Sequence, residues 1–256
     1  MGRVVVTGGA GFIGSHLVEA LLQQEWEVVA VDSLDPWYDP AMKRANLALA
    51  EHNPNFSLQQ LDITTDDLGP ILAETDLVYH LAGQPGVQDS WGDGFAQSCS
   101  GNILGTQRVF EAALSAGVAR VVYASSSSVY GTTGSGPGGR IAPVSPYGVS
   151  KAAGEQLADV YGHRGLDVVR LRYFTVYGPR QRPDMAMHRL FEATQPDGER
   201  FPLRGSGFQR RGFTFVDDVV RATLAAGVTA DAAGGAFDIG GGVSLSLNEV
   251  KAKVEA

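Results

Sequence analysis

Val4-Val5-Val6-Thr7-Gly8-Gly9-Ala10-Gly11-Phe12-Ile13-Gly14 decides the fold. Three β-branched residues in a row read as a short buried strand, and the glycines end it. From Phe12 to Gln24, apolar residues (Ile13, Leu17, Ala20, Leu21) recur at helical spacing. Glycines at 8, 11 and 14 permit a tight turn, close approach of a diphosphate and close helix–strand packing. The helix N-terminus adds free N–H groups and a partial positive charge. The spacing is GxxGxxG rather than the general GxGxxG, and a plain turn is the bland reading of any glycine cluster. This one follows a strand, opens a helix and is answered by Asp32 at the end of the next strand, Glu27 to Val31. A carboxylate there accepts from both ribose hydroxyls and repels a 2′-phosphate, so NAD is expected rather than NADP. Asp62-Ile63, after the following strand, is placed to meet the adenine, with an ordinary loop aspartate equally compatible with the position.

The alternation continues: strand Leu77 to Leu81, helix Leu104 to Ala116, strand Arg120 to Ala124, a helix after Pro146, and strand Val168 to Leu171. Strands alternating with helices imply an α/β fold, a Rossmann-like doubly wound parallel sheet with helices on both faces. Beyond Val176 the alternation fades and Pro and Gly become frequent. The expected division is a nucleotide-binding domain over 1–176 and a smaller C-terminal substrate-binding lobe over 177–256, with Phe213 to Ala226 open to returning to the first domain. Gly131 to Gly139 reads as a flexible loop. The 256 residues suffice for a sizeable core. A net charge of −8 argues against a nucleic-acid surface. The single cysteine, Cys99, excludes an internal disulfide framework, and the five histidines (16, 52, 80, 163, 188) lack ligand spacing, so no metal is expected. His80, inside a strand, reads as a core residue. With no signal-like start and no membrane-length apolar run, a cytoplasmic protein with no membrane partner is expected.

Tyr147 and Lys151, in YGVSK, stand four residues apart, which on a helix stacks them on one face. An ammonium beside a phenol favours the phenolate, so the tyrosine can serve as a base near neutral pH. Alone, one Tyr and one Lys on a solvated helix would mean little. The upstream glycine loop and the serine run Ser125 to Ser128 give the pair its weight.

TGGAGFIGSHL, YHLAGQPGV, NILGT, ASSSSVYG, SPYGVSK, LRYFTVYGPRQRPDMA and FTFVDDVV stand in that order between Val4 and about Glu249. Together they resemble the extended short-chain dehydrogenase/reductase family, the NAD-dependent nucleotide-sugar epimerases and dehydratases. The resemblance implies that Tyr147 is the catalytic base. It implies that Lys151 anchors the nicotinamide ribose, and that Ser126, four before Tyr130, bonds the sugar hydroxyl. By the same resemblance Phe12, Ile13, Leu81, Ala82, Gly83, Ser125 and Tyr173 line the cofactor. Gln84 and Met185 lie with the substrate, and Arg211 pairs with its diphosphate. It also implies a homodimer built on a four-helix contact. The faces around Val109 to Ala113 and Ala152 to Leu157 could supply that contact, or could pack on their own sheet.

Within the family, DPWYDPAMKRANLALA (Asp35 to Ala50) and FTVYGPRQRPDMA (Phe174 to Ala186) look most like the UDP-glucuronate 4-epimerases. Thr175 and Arg182 then fall near the substrate carboxylate, and an arginine fork suits that group because it can bond both oxygens. A solvated loop charge is the plain alternative for Arg182. The dehydratases carry an acid pair before VYG and the decarboxylases a Glu. Ser127 and Ser128 stand there instead, which disfavours elimination and leaves reversible oxidation at C4. The expected reaction is therefore 4-epimerisation of a UDP-sugar, UDP-glucuronate to UDP-galacturonate, through a 4-keto sugar. A UDP-glucose/galactose 4-epimerase, a UDP-glucuronate decarboxylase and a non-enzymatic NAD-binding scaffold are the rivals. Gly83 replaces a usual alanine, Gly212 a usual aspartate after Arg211, and the stretch from Gly131 to Pro143 looks short. The family pattern also continues beyond Ala256, so either a truncated form or a longer chain of which these 256 residues are part is expected, and the uridine pocket wall is left open.

Overall fold

The computed structural model describes residues 2–132, 139–198, 200–201 and 205–254. The loop expected at Gly131 to Gly139 lies, from 133 to 138, outside the described residues. The chain begins β1 (Arg3–Thr7), α1 (Phe12–Gln23), β2 (Glu27–Val31), α2 (Pro40–Asn46), β3 (Phe56–Gln59), α3 (Gly69–Leu72), β4 (Leu77–His80) and α4 (Gly94–Ser98). A π-helical turn over Cys99–Leu104 leads into α5 (Gly105–Ala116). There follow β5 (Arg120–Ser126), α6 (Pro146–Gly162), β6 (Val168–Tyr173), β7 (Thr175–Tyr177), α7 (Ala186–Glu192) and β8 (Arg210–Phe215). The described chain ends with α8 (Val216–Val228), β9 (Ala236–Ile239), β10 (Ser244–Ser246) and α9 (Leu247–Val254).

Seven strands form one sheet in the order β3-β2-β1-β4-β5-β6-β9, and the pairings within it are parallel. The strand order reverses between β1 and β4, where a parallel sheet opens a crevice beyond its carboxyl ends. One face of the sheet buries Val4, Val6, Leu17, Leu21 and Val219 beneath α1 and α8. The other buries Val5, Val78, Phe110, Tyr123 and Tyr161 beneath α3, α5 and α6. Strands covered on both faces explain the unbroken valine runs at 4–6 and 28–29. Val109, Phe110 and Ala113 belong to this core, so that face of α5 packs on its own sheet.

Local chemistry sets the helix ends. Gly117, in the left-handed region at φ 72°, closes α5. Ser145 caps α6 by accepting from the Gly148 N–H at 3.0 Å, and Pro146 starts the first turn. This cap places Tyr147 at the mouth of α6.

A second, three-stranded sheet runs β10-β8-β7, with β7 and β8 parallel. The boundary expected at residue 176 is crossed twice: α8 packs on α1, and β9 adds to the main sheet beside β6. Among the described residues no helix is long and apolar enough to cross a membrane.

Candidate active site

The glycine turn is as tight as its sequence demands. Gly8 sits at φ +70°, and a Cβ on Gly14 would overlap the Gly8 carbonyl oxygen. Gly11 caps α1 without a side-chain hydrogen bond, which leaves the first-turn N–H groups for a ligand. At the end of β2, Asp32 is buried and held from three sides. Its Oδ2 accepts from Ala10 N at 3.2 Å, and its Oδ1 accepts from Leu34 N at 2.9 Å and from Lys43 Nζ at 3.4 Å. Lys43 also lies 5.2 Å from the centre of the Tyr38 ring. Asp62 is fixed by its own turn, with Oδ1 accepting from the Thr64 N–H at 2.8 Å and the Thr64 hydroxyl at 2.7 Å. A diphosphate-sized turn, unused helix N–H groups and a fixed carboxylate one strand away fit the donor and acceptor pattern of NAD.

These residues line one cleft of about 860 Å³ running along the carboxyl ends of the central strands. It takes in every expected site residue from Gly8 to Met185, the serine run included. Arg211 is not among the lining residues. It lies exposed on β8, opposite Leu245 of β10, and its Nη1 donates to the Arg210 carbonyl at 3.3 Å.

Three successive residues of β5 meet one face of α6. The Ala124 carbonyl accepts from Lys151 Nζ at 3.0 Å, and the Ser125 hydroxyl donates to Glu155 at 2.5 Å. The Ser126 hydroxyl donates to the Ser128 hydroxyl at 3.1 Å and lies beside the Tyr147 phenol. Residues 147, 151 and 155 stack at successive turns, so the seam between strand and helix sets the spacing of the polar groups. Burial pushes Lys151 down to about 8. Burial likewise pushes the Tyr147 phenol up, while the Ser126 hydroxyl and the Arg182 charge draw it down. The YxxxK spacing leads one to expect Lys151 as the group acting on the phenol. Its ammonium donates to the Ala124 carbonyl of β5, and the Arg182 charge also draws the phenol down.

Arg182 reaches the cleft from the loop after β7, paired with Asp184. Behind the seam, Arg172 of β6 grips Glu155. Its Nε donates to Oε1 at 2.9 Å and its Nη2 to Oε2 at 2.6 Å, while Nη1 donates to the Tyr130 hydroxyl at 2.6 Å. Tyr130 in turn donates to Asp238 of β9 at 2.7 Å. Sequence reading missed Lys43, Glu155, Arg172 and Asp184, since their partners lie 11, 17, 17 and 2 residues away with no motif to flag them.

Asn102, in the π-helical turn, donates to the Gln84 carbonyl at 3.0 Å and to Ser150 at 2.9 Å. A Cβ on Gly83 would come 2.5 Å from its Oδ1 and 3.3 Å from Lys151 Nζ. The glycine at 83 therefore gives room first to the Asn102 amide and only then to the lysine. His80 is a core residue: its ring nitrogens meet Thr7 at 2.7 Å and Thr106 at 3.0 Å, and burial drives it down to about 3.

The profile of the NAD dependent epimerase/dehydratase family matches residues 4–240. A chain from Bacillus subtilis described as an uncharacterized UDP-glucose epimerase, YtcB, is 38% identical over 99% of this chain and 81% of its own length. A UDP-glucuronate 4-epimerase from Thermodesulfobacterium geofontis is 38% identical over 88% of this chain and 71% of its own. The solved structure of UDP-glucuronic acid 4-epimerase from Bacillus cereus, in complex with UDP-glucuronic acid and NAD, superposes with a TM-score of 0.93. It is 40% identical and covers 99% of this chain and 82% of that one.

Proposed function

The chain belongs to the NAD-dependent epimerase/dehydratase family, and from that premise we propose the reaction and the duty of each residue. It is an NAD-dependent UDP-sugar 4-epimerase, and its substrate is UDP-glucuronate, converted to UDP-galacturonate. The observation that carries the sugar assignment is Arg182, a cation close enough to the base to bias its ionisation.

Gly8, Gly11, Phe12, Ile13 and Gly14 hold the NAD diphosphate, Asp32 the adenosine ribose, and Asp62 and Ile63 the adenine side. Leu81, Ala82, Gly83, Ser125 and Tyr173 flank the nicotinamide half. Bound NAD supplies a hydride acceptor that serves as the donor in the return step. Tyr147 removes the proton from the C4 hydroxyl, and Ser126 orients that hydroxyl and the phenol together. Lys151, fixed on the Ala124 carbonyl, holds the nicotinamide ribose. The 4-keto sugar turns over in the cleft, receives the hydride on its other face, and regains the proton from Tyr147. Atoms and electrons balance without external oxidant or reductant.

A 4-keto uronate is a β-keto acid and loses CO₂ when its C5–C6 bond aligns with the carbonyl π system. Thr175, Arg182, Ser127 and Ser128 hold the carboxylate out of that alignment by position. Gln84 and Met185 complete the sugar wall. Arg211, exposed on β8 beyond the cleft lining, pairs with the substrate diphosphate. Domain duties follow: the seven-stranded sheet carries NAD, and the lobe around β7 and β8 carries the sugar nucleotide.

Incubation with UDP-glucuronate and separation of the products tests the reading. UDP-galacturonate is expected; UDP-pentose indicates a decarboxylase, and no turnover of any nucleotide sugar a scaffold. A neutral-sugar UDP-glucose epimerase is the second reading, favoured by Asp184, which already balances the Arg182 charge. Arg182→Leu separates the two. It is expected to raise KM for UDP-glucuronate roughly tenfold or more, the worth of a charged hydrogen-bond pair, and to leave UDP-glucose nearly unaffected. Equal losses for both would overturn the carboxylate assignment.

A homodimer is proposed through the outer faces of α6 and of the π-helical turn that leads into α5, where Val149, Val160 and Leu104 are exposed. Sedimentation decides it. Action in the cytoplasm is proposed on the single free cysteine, which suits a reducing compartment.

A further inference from the structure

Asp184 takes the Arg182 guanidinium along its side edge. Nε donates to Oδ1 at 2.9 Å and Nη2 to Oδ2 at 3.0 Å. A guanidinium has five N–H bonds in one plane. The side-on fork uses two, which leaves the end edge, Nη1 with the second Nη2 hydrogen, for another planar acceptor. Arg182 can thus bind two carboxylates at once, one of protein and one of substrate, in a single plane. Asp184 sits below its usual carboxylate range because of the Arg182 fork, although burial opposes this. The Trp37 side chain, in the segment that follows Asp32, lies beside it and helps to draw it down. Trp37 and Arg182 both line the cleft, so Asp184 stands between its cofactor side and its sugar side.

We propose that Asp184 is a positioning residue for substrate selection: it locks the plane of the Arg182 fork, and that plane sets the orientation of the C5 carboxylate of a uronate sugar. This rests on the UDP-glucuronate reading above. Its chemical consequence concerns the 4-keto stage. If the carboxylate turns into alignment, the C5–C6 bond breaks and its electron pair passes into the C4 carbonyl as an enolate. CO₂ leaves, and a proton from water adds at C5 to give a 4-keto pentose. A freed fork lets the carboxylate rotate; a locked fork does not.

The test compares wild type, Asp184→Asn and Trp37→Phe with UDP-glucuronate. It measures KM, the ratio of UDP-pentose products to UDP-galacturonate, and the inhibition constant of UDP-glucose as a competing ligand. Asn keeps the shape and one acceptor oxygen but breaks the fork. It is expected to raise the pentose ratio roughly tenfold and KM for UDP-glucuronate by about the same, with UDP-glucose affinity within about twofold. Trp37→Phe keeps a ring in place and removes only the N–H donor, so a smaller rise of the same sign is expected. It decides the matter if Asp184→Asn fails to fold.

An unchanged product ratio in a folded variant overturns the proposal, because a merely structural role would lower both activities without shifting products. So does an equal weakening of both ligands. If wild type epimerises UDP-glucuronate and the variant keeps its ratio, only this inference falls. If wild type leaves UDP-glucuronate untouched, the parent reading falls and takes this one with it.

Discussion

Truncating Glu155 to alanine is expected to cost about 3–5 kcal/mol of folding stability, the usual penalty for stranding one partner of a buried pair. Glu155 is 1% exposed and receives Ser125 and both arms of the Arg172 fork. Without it, the Arg172 cation is left with the hydroxyl and ring of Tyr130 and stays out of water. For a chain of this size the loss should appear as a fall in Tm of roughly 10 °C, at about 2–4 °C per kcal/mol. Replacing both partners, Glu155→Met with Arg172→Met, is expected to recover most of it, because two apolar side chains of similar volume leave no charge unpaired. Chemical denaturation of the four proteins of that cycle gives the coupling directly. A loss under about 1 kcal/mol in the single variant would mean that Arg172 finds solvent.

Tyr147→Phe is expected to lower turnover by about 10²–10⁴-fold, the span that a positioned acid–base group contributes. NAD and UDP-sugar binding should persist, since the ring remains and only the hydroxyl is lost. The pH dependence has a definite sign. Burial holds the phenol protonated, and the phenolate is the active form, so the wild-type rate should rise with pH as Tyr147 ionises. The Ser126 hydroxyl and the Arg182 charge both favour the phenolate. Removing either, by Ser126→Ala or Arg182→Leu, should move the rising limb to higher pH. A limb that stays in place in both variants would assign the titration to another group.

The fold was legible wherever period and punctuation agree. Val4 to Val6, the glycine turn and the Phe12 helix declare one βα unit, and repeated units require a parallel sheet. β9 gave no such signal: Ala236–Ile239 is four residues long, begins after glycines and carries a charged residue, Asp238, among three apolar ones, yet it completes the sheet beside β6. Its place depends on pairing with a strand more than sixty residues earlier. The site divides in the same way. Asp32, Ser126, Tyr147 and Lys151 stand at fixed offsets within single elements, so local spacing reveals them. Asp184, Lys43 and the Glu155–Arg172 pair act through partners on other elements or through the plane of a side chain, which spacing does not encode. Arg211 shows the converse: a familiar motif flags it, although it stands exposed on β8 outside the cleft lining.

The closeness of Trp37 to Asp184 has an evolutionary consequence. The seam of β5 and α6 carries Ser126, Tyr147 and Lys151, and the sugar loop adds to the base only the Arg182 charge, so descent can vary the rest of the loops while the acid–base groups stay in place. The two loops themselves are not free of one another. A lineage that alters the sugar preference through residues 180–185 disturbs the segment after Asp32, and a change there disturbs the sugar loop in return. Divergence of substrate range in such a chain should proceed by paired substitutions in these two stretches, with the acid–base residues inherited unaltered.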